Sequence, residues 1–267
     1  MKIVLFASGS TGNCTLVSEG DTHILIDAGV SAKRIRTGLQ EQGLTMNDVD
    51  GVLITHEHSD HIRGLTVLLR RNPAPVYALP AVVAALRGQM PEHAQLLHEI
   101  TPVEVLALGA MLVTPFCTPH DAAGSCGYRF SGCGSSFGFC TDLGELTDTV
   151  RAALCGVDCA VIEANHDLTM LRDGPYPVFL KRRIASNHGH LSNDSAGELA
   201  VFLAENGAQC LILGHLSREN NTPQKALDTV ACALRTAGFA PGTPALYAAP
   251  EVGPLTVEVK EHALCCL

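Results

Sequence analysis

Read from its residues, this chain of 267 amino acids folds as a four-layer αβ/βα sandwich of the α/β class, with two mixed β-sheets face to face and helices outside. Three features lead there. Each half of the sequence opens on short strand-like runs and continues with strands alternating with helices. A hydrophobic share of 46% is enough for a large core. Polar residues of metal-ligating type recur just after strands, where loops can aim side chains into one cleft. No long linker, low-complexity stretch or fixed-period repeat divides the chain, so residues 1–267 read as one domain.

The elements follow in order. "KIVLFAS" is a strand, and "THILIDAG" is another that ends on Asp27. "SAKRIRTGLQEQG" is a helix with Ser31 as its N-cap and Gly43 just past its end. "GVLIT" is a short buried strand that runs into a histidine cluster. "DHIRGLTVLLRR" reads as a helix, "APVYAL" as a strand and "PAVVAALRG" as a short helix. "VEVLALG", "MLVTPFCT", "GYRFSG" and "SFGFCTD" are strands joined by glycine turns. The second half continues with helix "LTDTVRAALCG", strand "CAVIEA", helix "SAGELAVFLAENG", strand "QCLILG" and helix "TPQKALDTVACALRTAG".

Composition narrows the class. No run approaches the roughly 18 apolar residues of a membrane span, and "MKIVLFASGSTGN" lacks the apolar length and cleavage pattern of a signal peptide. The expected location is the cytoplasm, with no membrane partner. Eleven cysteines are an odd number with no C-x-x-C. Cys14, Cys140, Cys155, Cys159 and Cys210 lie in or beside apolar runs and read as buried reduced thiols, with Cys265 and Cys266 in an exposed tail. A formal charge of −9 argues against wholesale non-specific binding to nucleic acid, though not against a local basic site.

The informative stretch is "LITHEHSDHIRG". In an extended segment His56 and His58 point the same way, and the turn into the next helix sends Asp60 and His61 elsewhere. One loop can therefore serve two adjacent metal ions. Imidazole and carboxylate suit zinc, manganese or iron, and the lack of cysteine favours an open, catalytic site over a closed structural one. His120, Asp142 and His215 each follow a strand and complete the set.

The ordered set Asp27, His56-x-His58-x-Asp60-His61, His120, Asp142 and His215 resembles the metallo-β-lactamase superfamily over nearly the whole chain. The resemblance implies the same sandwich and two divalent metals per chain. His56, His58 and His120 would hold one, Asp60, His61 and His215 the other, with Asp142 between them and Asp27 orienting a ligand. Two such metals can lower the pKa of a shared water from 15.7 toward about 7 and supply hydroxide at neutral pH.

Other stretches select the reaction. "IEANHDLTML" and "NHGHLSNDSAGELA" place Glu163 and His190 in an arrangement that resembles the Glu–His pair of tRNA 3′-processing nucleases. There the histidine protonates the leaving oxygen. Asp60, Glu163 and His190 are thus the candidate catalytic groups. Together "ASGSTGN", "THEHSDHIRGL", "EANHD", "KRRI" and "GHLSN" resemble the YycJ/WalJ subfamily, which implies 5′→3′ exonuclease action on DNA. Candidate phosphate contacts are Asn13, the basic run Lys181, Arg182 and Arg183, and Ser192 and Asn193 at a helix start. The same two residues also read as an ordinary cap. The interval between Asp142 and His215 is too short for the inserted domain of β-CASP nucleases, which makes DNA a better expected partner than RNA. The alternative is a thioesterase or lactonase acting on a small metabolite, which would need neither the Glu163–His190 pair nor the basic run.

Overall fold

The computed structural model describes residues 1–259; Cys265 and Cys266 lie outside the described residues. Two seven-stranded mixed sheets build the sandwich. The first contains β1 (Lys2–Ala7), β2 (Cys14–Glu19), β3 (Thr22–Ile26), β4 (Gly51–Leu53), β5 (Val76–Ala78) and β6 (Leu97–Glu99). The second contains β7 (Leu106–Leu108), β8 (Met111–Cys117), β9 (Cys126–Gly132), β10 (Ser135–Cys140), β11 (Cys159–Glu163), β12 (Cys210–Gly214) and β13 (Ala245–Ala248). The last strand, β14 (Leu255–Glu258), returns to pair with β1.

Each sheet is antiparallel on one side and parallel on the other. In the first, β14, β1, β2 and β3 pair antiparallel and β3 to β6 parallel. In the second, β7 to β10 pair antiparallel and β10 to β13 parallel. The parallel halves are where the sequence alternates strands with helices, as crossovers require. Strand alternation divides the core. Val161 and Ile212 join the cluster shared with Ile3, Leu25, Tyr128 and Phe137, whereas Ala160, Ile162, Leu211 and Leu213 belong to a second cluster with Ala196, Leu199 and Val230. Those last three lie on α8 (Asn193–Glu205) and α9 (Pro223–Thr236).

The other helices are α1 (Ala32–Glu41), α2 (Ser59–Ile62), α3 (Leu65–Arg71), α4 (Pro80–Gln89), α5 (Asp148–Leu154), α6 (Leu168–Asp173) and α7 (Val178–Ile184). Ser31 caps α1 by accepting from the Arg34 N–H, as expected. The run read as one helix from Asp60 to Arg71 is instead two, α2 and α3. Between them Gly64 donates to the Ala28 carbonyl at 2.8 Å. A side chain there would stand 2.0 Å from the Val30 carbonyl oxygen, so the turn docks by bare backbone. Strands β2, β6, β13 and β14 and helices α6 and α7 carried no clear signal. In α7 the reason is visible: Val178 and Phe179 are 63% and 73% exposed, so its apolar residues do not trace a buried stripe. Cys155, expected to be buried, is exposed just past α5. No helix among the described residues is long and apolar enough to cross a membrane.

Candidate metal centre

The centre is assembled at strand ends. Asp27 directly follows β3, the His56–His61 loop follows β4, His120 follows β8, Asp142 follows β10, Glu163 ends β11 and His215 directly follows β12. Asp27, Asp142 and His215 adopt φ of 60°, 58° and 54°. This left-handed conformation is uncommon for non-glycine residues, although Asp and His enter it more readily than most. Three such residues in one site mark backbone bent to aim side chains inward.

Ligand-type atoms lie within 4.8 Å of one another in four groups: His56, His58 and His120; Asp60, His61 and His215; His56, His61 and Asp142; and Asp142, Glu163, His190 and His215. Asp142 lies between the first two groups. Its Oδ2 is 3.4 Å from His61 Nε2, and its Oδ1 is 3.9 Å from His120 Nε2. Asp60 Oδ2 is 3.5 Å from His61 Nε2 and 3.6 Å from His215 Nε2.

The hydrogen bonds fix how each ring faces. His61 Nδ1 donates to Asp27 Oδ2 at 2.7 Å, His215 Nδ1 to Glu163 Oε1 at 2.8 Å and His120 Nδ1 to the Gly189 carbonyl at 3.1 Å. His56 Nδ1 lies 3.1 Å from Thr55 Oγ1. With Nδ1 engaged, Nε2 is the nitrogen left to point inward, and at His61 it meets the Asn13 amide at 3.1 Å. The Nε2 atoms of His56, His120 and His215 and Oδ2 of Asp142 are buried and make no hydrogen bond among the described residues. Buried polar atoms are ordinarily satisfied. Buried nitrogen and oxygen atoms left without hydrogen bonds in neighbouring ligand groups fit divalent cations, and their character suits zinc, manganese or iron.

Electrostatics agree with that fit. Burial acts to lower His61 and His215, but Asp142 and the carboxylates bonded to them win, lifting His61 to about 10 and His215 well above its usual range. Burial followed by the neighbouring imidazoles depresses His56, and burial also depresses His120, so these two stay neutral and free to ligate. The Asp142 side of the site attracts positive charge. The other side offers uncharged imidazole.

Glu163 is shared. Its Oε1 also accepts from His190 Nδ1 at 2.8 Å, and its Oε2 accepts from the Leu143 and Leu191 N–H groups at 3.1 Å each. Burial tends to raise this carboxyl, yet the His190 and His215 imidazoles hold it below the usual carboxylate range. His190 faces a cleft of about 270 Å³ with His58, Asp60, His120, Asp142 and His215.

The expected phosphate contacts fare unevenly. Arg183 lines the cleft but is ion-paired to Asp121. Lys181 donates to the Arg172 carbonyl at 2.7 Å, and neither it nor Arg182 lines the cleft. Asn13, Ser192 and Asn193 do not reach it. Asn13 is 3% exposed and spends its amide on Gly9, on the Asp60 carbonyl and on Nε2 of His61, 3.1 Å away. Ser192 caps α8, and Asn193 is fully buried against Asn221.

Several residues were missed. Thr55 donates from its backbone and hydroxyl to Asp27 and touches both His56 and His61. Asn165 donates to the His215 carbonyl at 2.9 Å, and Ser8 accepts from the His215 N–H at 2.8 Å. Tyr176 and Leu180 form an apolar part of the cleft wall. Thr55 and Asn165 stand inside the quoted motifs and could have been singled out there; Tyr176 carries no such signal.

A family model described as the beta-lactamase superfamily domain matches residues 22–216. Exodeoxyribonuclease YycJ of Bacillus anthracis is 36% identical over 241 residues, which span 89% of this chain and 90% of the relative. Exodeoxyribonuclease WalJ of Streptococcus pneumoniae is 35% identical over 246 residues, 90% of this chain and 91% of the relative. The metallo-beta-lactamase fold protein YhfI of Bacillus subtilis superposes with a TM-score of 0.72 at 17% identity, covering 96% of this chain and 99% of its own, a likeness of fold. By sequence and by architecture, the chain belongs to the metallo-β-lactamase superfamily and, within it, to the family of YycJ and WalJ.

Proposed function

We propose that the protein is a two-metal phosphodiesterase that degrades DNA as a 5′→3′ exonuclease. The observation that carries the reading is the Glu163–His190 pair, which faces the same cleft as the inward-pointing imidazoles and Asp142. His56, His58 and His120 would hold one cation, Asp60, His61 and His215 the other, and Asp142 would contact both. Cations held by these residues would supply Lewis-acid chemistry, polarising a phosphodiester and making water a stronger nucleophile. DNA as substrate is supported by the names of the YycJ and WalJ relatives.

The chain's own groups supply the rest. Asp27, held by Thr55, fixes the ring of His61. Glu163 fixes His215 and, on the same oxygen, His190. With Nδ1 bonded to Glu163, His190 keeps Nε2 as the nitrogen that can hand a proton to the departing oxygen. Burial lowers His190, but the Glu163 charge and hydrogen bond outweigh it and raise its affinity for that proton. Leu180 and Ile184 give the cleft an apolar wall beside these groups.

The test incubates protein loaded with zinc, manganese or iron with 5′-labelled single- and double-stranded DNA, RNA and an acyl thioester. Release of the 5′ label as mononucleotide, with no ladder of shortened labelled strands, is the expected outcome. Thioester cleavage without any phosphodiester cleavage would overturn the reading.

A further inference from the structure

Basic residues that are scattered in the sequence meet on the far side of the Gly9–Thr11 turn. A concavity of about 550 Å³ opens beside the first turns of α1, with Lys33, Arg34, Arg36 and Arg63 on its walls and Thr11 at its edge. No carboxylate lines it, although the chain as a whole carries a formal charge of −9. Two of the heads are fixed by carbonyls. Arg34 Nη2 donates to Phe6 and Glu251 at 2.7 and 3.1 Å, and Arg63 Nη2 donates to Thr11 at 2.7 Å.

One carboxylate acts on this patch: Glu251, ion-paired to Arg218, accepts from the Thr11 hydroxyl at 2.9 Å and faces Arg34 electrostatically. Among the described residues, Lys33, Arg36 and Arg63 form no ion pair. Arg36 Nη1 is buried without an acceptor. A buried guanidinium N–H lacking an acceptor is unusual, and a turn of the half-buried Arg36 head toward the concavity would let an anion satisfy it. The positive end of the ten-residue α1 adds to the same field.

The concavity also borders the cleft. Ser10 lines the cleft and its neighbour Thr11 the concavity, while Arg63 lies two residues beyond His61. A strand leaving the cleft over this turn meets the basic wall next.

We propose that this concavity binds a backbone phosphate of the nucleic-acid strand, a few nucleotides from the bond being cut. The inference rests on the phosphodiesterase reading above and adds a second contact to it. No aromatic side chain lines the concavity, so the contact reads charge and not base.

The test uses the full chain in chelator, which separates binding from hydrolysis. Anisotropy of a labelled single-stranded oligonucleotide is followed against salt for wild type, Lys33→Glu, and Lys33→Glu with Arg63→Glu. Each lost phosphate contact should reduce the slope of log affinity against log salt by about 0.7. Lys33→Glu should weaken binding roughly tenfold at low salt, and the double variant further. Should the double variant misfold, Lys33→Glu at an exposed position decides alone. Unchanged affinity and slope in the folded variant would overturn the proposal, even if metal-loaded wild type degrades DNA. Wild type that binds in this way yet cleaves no phosphodiester would instead overturn the proposed function and leave the site standing. Inorganic phosphate is the second probe: binding as tight as that of the oligonucleotide would make this a free-anion site and also overturn the proposal.

Discussion

Glu163→Gln should separate the duties that one carboxylate performs. Oε1 receives His190 and His215 at 2.8 Å each, and Oε2 receives two backbone N–H groups at 3.1 Å each. Glutamine keeps the shape but has one acceptor oxygen. With that oxygen toward the imidazoles, the Leu143 and Leu191 N–H groups face an NH₂. Turned over, both imidazoles lose their acceptor. Either way two buried donors are stranded at about 1–3 kcal/mol each, or roughly 2–6 kcal/mol together. That is a large share of the roughly 5–15 kcal/mol that holds a typical domain folded. A loosened His215 should weaken metal binding by about 10–100-fold. An unpartnered His190 should slow turnover by roughly 10²–10⁴-fold. His190→Ala leaves the Glu163–His215 bond in place, so it should lose turnover alone, and less on a nitrophenyl phosphodiester whose leaving group needs no proton. Denaturant unfolding, metal content and turnover on both substrates are the measurements. Wild-type stability and metal content in Glu163→Gln would refute the shared-acceptor role. Equal slowing of both substrates by His190→Ala, or loss of metal from it, would refute the proton-donor role.

Asp142→Ala should lose at least one cation and nearly all activity, because Asp142 lies between the two imidazole groups; full metal occupancy on elemental analysis would contradict this. Gly29→Ala should destabilise the chain by about 1–3 kcal/mol and reduce metal content, since its Cβ would sit 1.6 Å from the Asp60 carbonyl oxygen; a melting temperature and metal content equal to wild type would count against that close approach. Chelation should lower the melting temperature reversibly. A cation at a hundredfold excess over its Kd contributes about 2.7 kcal/mol, which corresponds to about 5–10 °C in a chain of this size. Identical melting with and without chelator would argue against tight metal binding.

The part of the site that could be read from sequence is the part that strands deliver. A short apolar run followed by His or Asp is a local pattern, and β4, β10 and β12 each carry one. The pairing of Glu163 with His190 was also legible, through the likeness of two short motifs. Phosphate-contact readings met a different obstacle. Ser, Asn and helix starts serve structure and ligand equally well in sequence, and only burial distinguishes the two roles. Asn193 turns inward to Asn221, and the Asn13 amide reaches the Asp60 carbonyl and the His61 ring. The same limit applies to charge. Lys181, Arg182 and Arg183 are contiguous and so drew notice, yet the fold spends Arg183 on Asp121 and Lys181 on a carbonyl.

Backbone conformation explains why the candidate ligands converge at all. Residues at the ends of strands from different sheets would diverge if each chain simply ran on. Asp27, Asp142 and His215 instead turn through the left-handed region immediately after or close to β3, β10 and β12. Their side chains are returned over the strand ends, where Thr55, Asn165 and Ser8 hold the surrounding backbone and rings. A site made this way needs side-chain bonds to hold an unfavourable backbone, and those bonds are the ones sequence reading missed. Thr55 is the sharpest case: one hydroxyl within 3.1 Å of Asp27, His56 and His61 ties the residue after β3 to a ring from each imidazole group. The motif brings the candidate ligands together, and its threonine bonds to the two rings and to the carboxylate behind them.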